Sequence, residues 1–130
     1  LYLDRDSGQN EERGMIVANY RKIYKDHYGI EFSKEYAVHH IDGDRDNNDI
    51  NNLILLPSKL HSKYHFYKNI IDGWDKDTSL SGLYPNTYLL DAIRKFADAC
   101  EECYYYYRMK HQMEMGVSPK YFGFDVKVGE

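Results

Sequence analysis

The stretch from His39 to His65, HHIDGDRDNNDINNLILLPSKLHSKYH, constrains this chain more than any other. Val38-His39-His40-Ile41 is a short apolar, β-branched run with two adjacent histidines. A strand sends successive side chains to opposite faces, so the two histidines cannot do the same job. Asp42-Gly43 is a turn signal, and the run from Asp44 to Asn52 is nearly all Asp and Asn, apart from Arg45 and Ile50. Such side chains bond their own backbone, which predicts an ordered polar loop. Leu53-Ile54-Leu55-Leu56 reads as a second strand, and Pro57 suits the first turn of a helix. In that helix His61 and His65 are four apart and share a face. The pattern is strand, loop, strand, helix. It presents three imidazole ligands and one spare histidine. Three imidazoles with an open position make a catalytic kind of metal site, whereas a structural site is closed by four ligands.

From Tyr36 to about Tyr67 the chain resembles the HNH endonucleases, the ββα-metal nucleases. It is most similar to phage and bacterial members reading HHIDGNxxNN…NLxLV…H…H. The resemblance implies an α+β fold with a ββα-metal core, flanked here by an N-terminal helix and a long C-terminal helix. It implies His39, His61 and His65 as metal ligands in the histidine-rich version of the site. It implies His40 as the general base and Asn52 as the residue that braces the loop and orients that base. Pro57 departs from the Thr or Ser often found at the helix cap. The implied chemistry is one-metal hydrolysis of a DNA phosphodiester, nicking or cutting both strands, with a neutral imidazole taking a proton from water. The ion is divalent: Mg, Mn, Zn or Ni. Ligating imidazoles need an acceptor on their other nitrogen, for which Asp42, Asp44 or a backbone carbonyl are candidates. Arg45 in the loop and Lys59 and Lys63 on the helix are candidates for holding the DNA backbone, with Lys68 beyond them. Such contacts position the duplex without reading sequence.

Charge pulls against that reading. The formal net charge is −4 and the sequence pI about 5.9, whereas DNA binders commonly carry a basic surplus. Much of the acid sits in Asp42, Asp44, Asp46 and Asp49, and again between Asp72 and Asp77, and a bound cation offsets part of it. The expectation is weak or partner-assisted DNA binding. The alternative is a non-catalytic module that keeps the fold and a structural metal and binds nucleic acid or protein. The presence of His40 speaks against it, because a structural site needs no base.

The remainder is framed around this core: a helical lead-in over 1–35, the core over 36–72, and a C-terminal helix and tail over 73–130. Glu11 to Tyr28 reads as a helix capped by Asn10 and stopped by Gly29. Its Arg13, Arg21, Lys22 and Lys25 form a solvated basic face, or else a phosphate contact. Phe32 is a core anchor. The core helix is expected to end near Asp72-Gly73, with Trp74 as a core plug, or else a stacking surface. Asn86-Thr87 can cap a helix to about Met115 whose stripe Leu89, Ile93, Phe96, Ala97, Cys100, Tyr104 and Tyr107 forms a core or homodimer face, or meets another protein partner. The four tyrosines Tyr104 to Tyr107 face every direction, so at least one must reach solvent. Cys100 and Cys103 lack the further cysteines of a zinc knuckle and read as buried, reduced thiols, which suits the cytoplasm of a bacterial or phage-infected cell. Tyr121 to Val128 is strand-like, as an edge strand or a tail pairing with another chain. No apolar run approaches the ~20 residues of a membrane span, so no membrane partner is expected.

Overall fold

A computed structural model describes residues 19–74 and 82–126. The fold is α+β. Helix α1 (Tyr20–Tyr28) leads into a two-residue strand β1 (Ile30–Glu31). Then come β2 (Tyr36–His40), the Asp/Asn loop with a 3-10 turn at Ile50–Asn52, β3 (Leu53–Pro57) and helix α2 (Ser58–Trp74). Helix α3 (Asn86–Glu114) follows, then a 3-10 turn at Pro119–Phe122 and β4 (Asp125–Val126).

Strands β2 and β3 form an antiparallel hairpin with Val38 opposite Leu55, His39 opposite Ile54 and His40 opposite Leu53. Directly opposed residues share a face of the sheet. One face therefore carries Val38, His40, Leu53 and Leu55, and the other His39, Ile54 and Leu56. Both are covered. Val38, Leu53 and Leu55 join Tyr20 and Tyr24 of α1, Ile30, Phe32, Phe124, and Met109 and Met113 of α3 in one core cluster. Ile54 and Leu56 join Leu60 of α2 and Ala99 and Cys103 of α3 in a second. Covering both faces explains why Leu53 to Leu56 is a continuous apolar run rather than an alternating one. Trp74 is indeed a plug, packed with Ile70 and Ala92 in a third cluster.

Several expectations are corrected. Within the described residues the first helix begins at Tyr20, because Asn19 is extended and its side chain caps Lys22 N at 3.1 Å; the expected Asn10 cap and Arg13 lie outside the described residues. Gly29 does end it, in the left-handed conformation. The basic residues of α1 are spent within the fold. Arg21 donates to Tyr36 O at 2.8 Å and Ser33 O at 3.1 Å and lies over Phe32, while Lys22 pairs with Asp26 and Lys25 with Glu31. Pro57 is the last residue of β3, opposite Tyr36, so the helix starts one residue later than read. Ser58 Oγ then donates to Lys34 O at 2.7 Å. Helix α3 is preceded by Pro85, not capped by Asn86. Its buried face is Ala92, Ala99, Cys103, Met109 and Met113. Leu90, Ile93, Cys100, Tyr104 and Tyr107 are exposed, Tyr104 by 63%. Of the tail, Asp125–Val126 alone forms strand among the described residues, and it pairs with Ile30–Glu31 of the same chain.

Candidate metal centre

The alternation of β2 puts His39 on the α2 side of the hairpin and His40 on the α1 side. On α2, one helical turn brings His61 and His65 beneath His39. The three rings meet edge to face, with centroids 5.1 Å apart for His39–His61, 5.0 Å for His39–His65 and 4.6 Å for His61–His65. One nitrogen from each lies within 4.8 Å of the others, and His65 Nε2 is 3.2 Å from His39 Nδ1. Metal–nitrogen bonds of about 2.0–2.1 Å in tetrahedral geometry require nitrogens a little over 3 Å apart. The donor set is therefore of the right kind, and near the right spacing, to hold a divalent ion.

Burial prepares these rings to ligate. It pushes His61 down to about 4, helped by the charges of Arg45 and His40. It pushes His65 down to about 4 as well, helped by Lys68. Both are neutral at pH 7, the form in which imidazole ligates a metal. Tyr64 walls the pocket, its ring 5.0 Å from His39 and 5.1 Å from His65, and it leans on Phe96 of α3 at 5.0 Å. The long helix thus supports the site through one aromatic step.

His40 is buried apart from that trio. The edge of Tyr20 meets its ring at 4.6 Å, and its Nε2 lies 2.8 Å from Asn48 Oδ1. Asn52 bonds across the loop: its amide donates to Asp42 Oδ1 and Asn47 O, both at 2.9 Å, and its oxygen accepts from Asp42 N at 3.0 Å. Its link to His40 is indirect, since the neighbouring Asn48 makes the ring contact. The rest of the loop is a ladder of side-chain-to-backbone bonds, Asp44 N to Asp42, Asp46 N to Asp44, Asp49 N to Asn47 and Asn51 N to Asp49. Asp42 is held below the usual carboxylate range by Asn47, the Asp44 amide and Asn52. Asp42 and Asp44 are therefore engaged within the loop.

Lys110 of α3, half-buried, donates to Ile50 O at 2.5 Å and Leu53 O at 2.6 Å, fastening the exit of the loop. Of the cations expected near DNA, Arg45 is close enough for its charge to act on His61. Lys59 is exposed on the first turn of α2. Lys63 is drawn away to Glu102 of α3 at 3.2 Å, and Lys68 to Asp72 at 2.6 Å.

Residues 20–63 match the sequence model of a family described as HNH endonuclease. This segment is similar to the HNH endonucleases. The HNH match takes in α1, beyond the hairpin and helix that carry the resemblance, and so includes Tyr20, which packs on His40. It ends two residues before His65, whose place in the pocket rests on geometry. No curated protein and no solved structure matches the chain. The match suggests a nuclease-type or nucleic-acid-binding function for this segment, and its histidine trio could hold a metal. Among the described residues no helix is long and apolar enough to cross a membrane.

Sequence reasoning had not singled out Asn48, Tyr20, Tyr64 or Lys110. Asn48 sits in a run of similar residues, and only its ring contact distinguishes it. Tyr64 carries a local signal, one residue before a ligand on the same helix. Tyr20 and Lys110 carry none, because their partners are distant in sequence.

Proposed function

We propose that the protein is a metal-dependent endonuclease that hydrolyses DNA phosphodiester bonds in the cytoplasm of a bacterial or phage-infected cell. The observation that carries this is one hairpin with a three-imidazole cluster within 4.8 Å on one face and, at the adjacent residue, a separate buried histidine on the other. A structural metal site has no use for the second.

His39, His61 and His65 hold the ion, which is Mg, Mn, Zn or Ni. The ion would supply positive charge to offset the negative charge that develops on the reacting phosphate. His40 accepts a proton from the attacking water, whose oxygen bonds to phosphorus in line as the bond to the 3′ oxygen breaks. Asn52 keeps the loop in shape. Arg45 holds a phosphate beside His61, and Lys59 extends that contact along the backbone. Lys63 contributes only by giving up Glu102. The acidic net charge limits free-standing affinity, so a DNA-delivering partner or a second copy is part of the proposal. The outward face of α3, with Leu90, Ile93, Tyr104 and Tyr107 exposed, is the surface for it. The same face is what supports the second reading, a binding module without cleavage.

The test is cleavage of supercoiled plasmid by wild type and His40→Ala with Mg, Mn, Zn or EDTA. Metal-dependent nicking in wild type, lost in His40→Ala with metal binding intact, is expected. Equal nicking by both removes His40 from the chemistry. Metal binding without cleavage under any ion supports the second reading.

A further inference from the structure

We propose that Asn48 is the residue that positions His40, fixing which ring nitrogen faces the reaction. The proposal rests on the nuclease reading above. An amide oxygen only accepts, so the 2.8 Å contact between Asn48 Oδ1 and His40 Nε2 requires the proton to sit on Nε2. The lone pair is then on Nδ1, and Nδ1 is the nitrogen that takes the proton from water. After transfer both nitrogens carry hydrogen, and the bond to Asn48 persists throughout.

Two further observations support an engineered hold rather than a chance contact. The ring of His40 is steadied from a second direction by the edge of buried Tyr20, at 4.6 Å and an interplanar angle of 73°. Asn48 is itself steadied through its neighbour, because Asn52 Nδ2 bonds Asn47 O at 2.9 Å. A relay therefore runs from Asn52 through the loop backbone to Asn48 and on to the His40 ring. It assigns the two asparagines different tasks: Asn52 shapes the loop, and Asn48 aims the ring. A ring freed from Asn48 can rotate or change tautomer, and small misplacements of a reacting group are costly in rate.

The experiment has two arms on the full chain. In the first, plasmid nicking is measured for wild type, Asn48→Ala and Asn48→Asp. Asn48→Ala is expected to lower kcat roughly tenfold to a hundredfold with KM nearly unchanged. Asn48→Asp keeps an acceptor at the same reach and is expected to recover most of the loss. In the second, nitrogen-resolved NMR follows the imidazole protons. Wild type is expected to show a protected Nε2 proton on His40, assigned by its loss in His40→Ala. That signal should vanish in Asn48→Ala while Mn affinity and melting temperature stay the same. Active wild type without the protected proton, or Asn48→Ala with wild-type kcat, overturns the positioning role and leaves the nuclease reading standing. A wild type that shows the proton but cleaves nothing overturns the nuclease reading and, with it, any catalytic meaning of this bond. A loss in Asn48→Ala shared between kcat, metal affinity and melting, and not restored by Asn48→Asp, reduces Asn48 to a loop-forming residue.

Discussion

The histidine pocket and the outer face of α3 lie on touching elements and are built on opposite terms. In the pocket, polar side chains are buried or half-buried among specific partners: His39 lies among His61, His65 and Tyr64, and His40 between Tyr20 and Asn48. On α3, large apolar rings stand in solvent while alanines fill the interior, with Ala92 and Ala99 buried and Tyr104 and Tyr105 exposed. Burying polar groups costs free energy unless each finds a partner. Leaving apolar groups out forgoes the gain from burial. The first is what a reaction centre demands of a fold, and the second is what an association surface leaves behind. Under the proposed function, the contrast divides the labour: chemistry in the hairpin and α2, and contact with a partner on α3.

The largest break in that comparison comes from the pocket. His61→Ala removes one of three ligands and is expected to lower metal-supported nicking by at least about 100-fold. Calorimetry should show the matching loss of metal affinity, while circular dichroism should show the helices retained. Wild-type metal affinity in His61→Ala would mean that the trio is not the metal site.

On α3 the comparison is sharpened by a pair of truncations. Met109 is 1% exposed and packs with Tyr24, Leu53 and Leu55 in the main core. Met109→Ala is expected to cost about 3 kcal/mol in urea unfolding. Tyr104→Ala, on the open face, should stay within about 0.5 kcal/mol while weakening any self-association seen by light scattering. Similar costs for the two would mean that the helix is rotated from the orientation described.

That pair also locates what the sequence could and could not tell. The pocket was legible because its rules are local. Strand alternation separates His39 from His40, four-residue spacing joins His61 to His65, and neither rule needs to know what packs around it. The ladder of Asp and Asn in the loop was legible for the same reason. The buried face of α3 was not. Apolar residues occur at nearly every phase of that helix, so periodicity alone favoured a stripe through Ile93, Cys100, Tyr104 and Tyr107. The fold instead buries Ala92, Ala99, Cys103, Met109 and Met113, and the small Ala99 and Cys103 pack with Leu60 and Ile54. Lys110 was hidden for a related reason. Its worth lies in the carbonyls of Ile50 and Leu53, 60 and 57 residues away in sequence. The start of α1 was misplaced because helix-forming residues precede Asn19, while the cap that decides it is a single side-chain bond to Lys22.

A smaller effect separates the two regions by acid. In the metal-free protein His61 and His65 titrate near 4 when folded, against an ordinary value of 6.5. Between those values the unfolded chain binds more protons, so stability falls as pH falls through that window and levels off below about 4. At pH 5.5 the loss from His61 alone is roughly 1.4 kcal/mol relative to neutral pH. Urea midpoints in EDTA at pH 7.5, 5.5 and 4 measure it. His61→Phe should flatten the slope, whereas Tyr104→Ala should leave it as it is. An unchanged slope in His61→Phe would show that burial of this ring is not what sensitises the fold.

The smallest expected effect is at the seam between the regions. Lys63 sits on α2 between the two helix ligands, but its ammonium reaches Glu102 of α3 at 3.2 Å, with the carboxylate side chain 56% exposed. Exposed pairs of this kind contribute about 0–1 kcal/mol and are screened by salt. Lys63→Ala should therefore change stability by less than about 0.5 kcal/mol and plasmid nicking by less than about twofold. Arg45→Ala offers the contrast, because its charge already acts on His61 and a phosphate held there would be its natural partner. It should weaken DNA binding and lessen its salt dependence. If Lys63→Ala were the more damaging of the two, the DNA would have to run along the seam between α2 and α3. The outer face of the long helix would then belong to the substrate path, and the division of labour drawn between the two regions would fail.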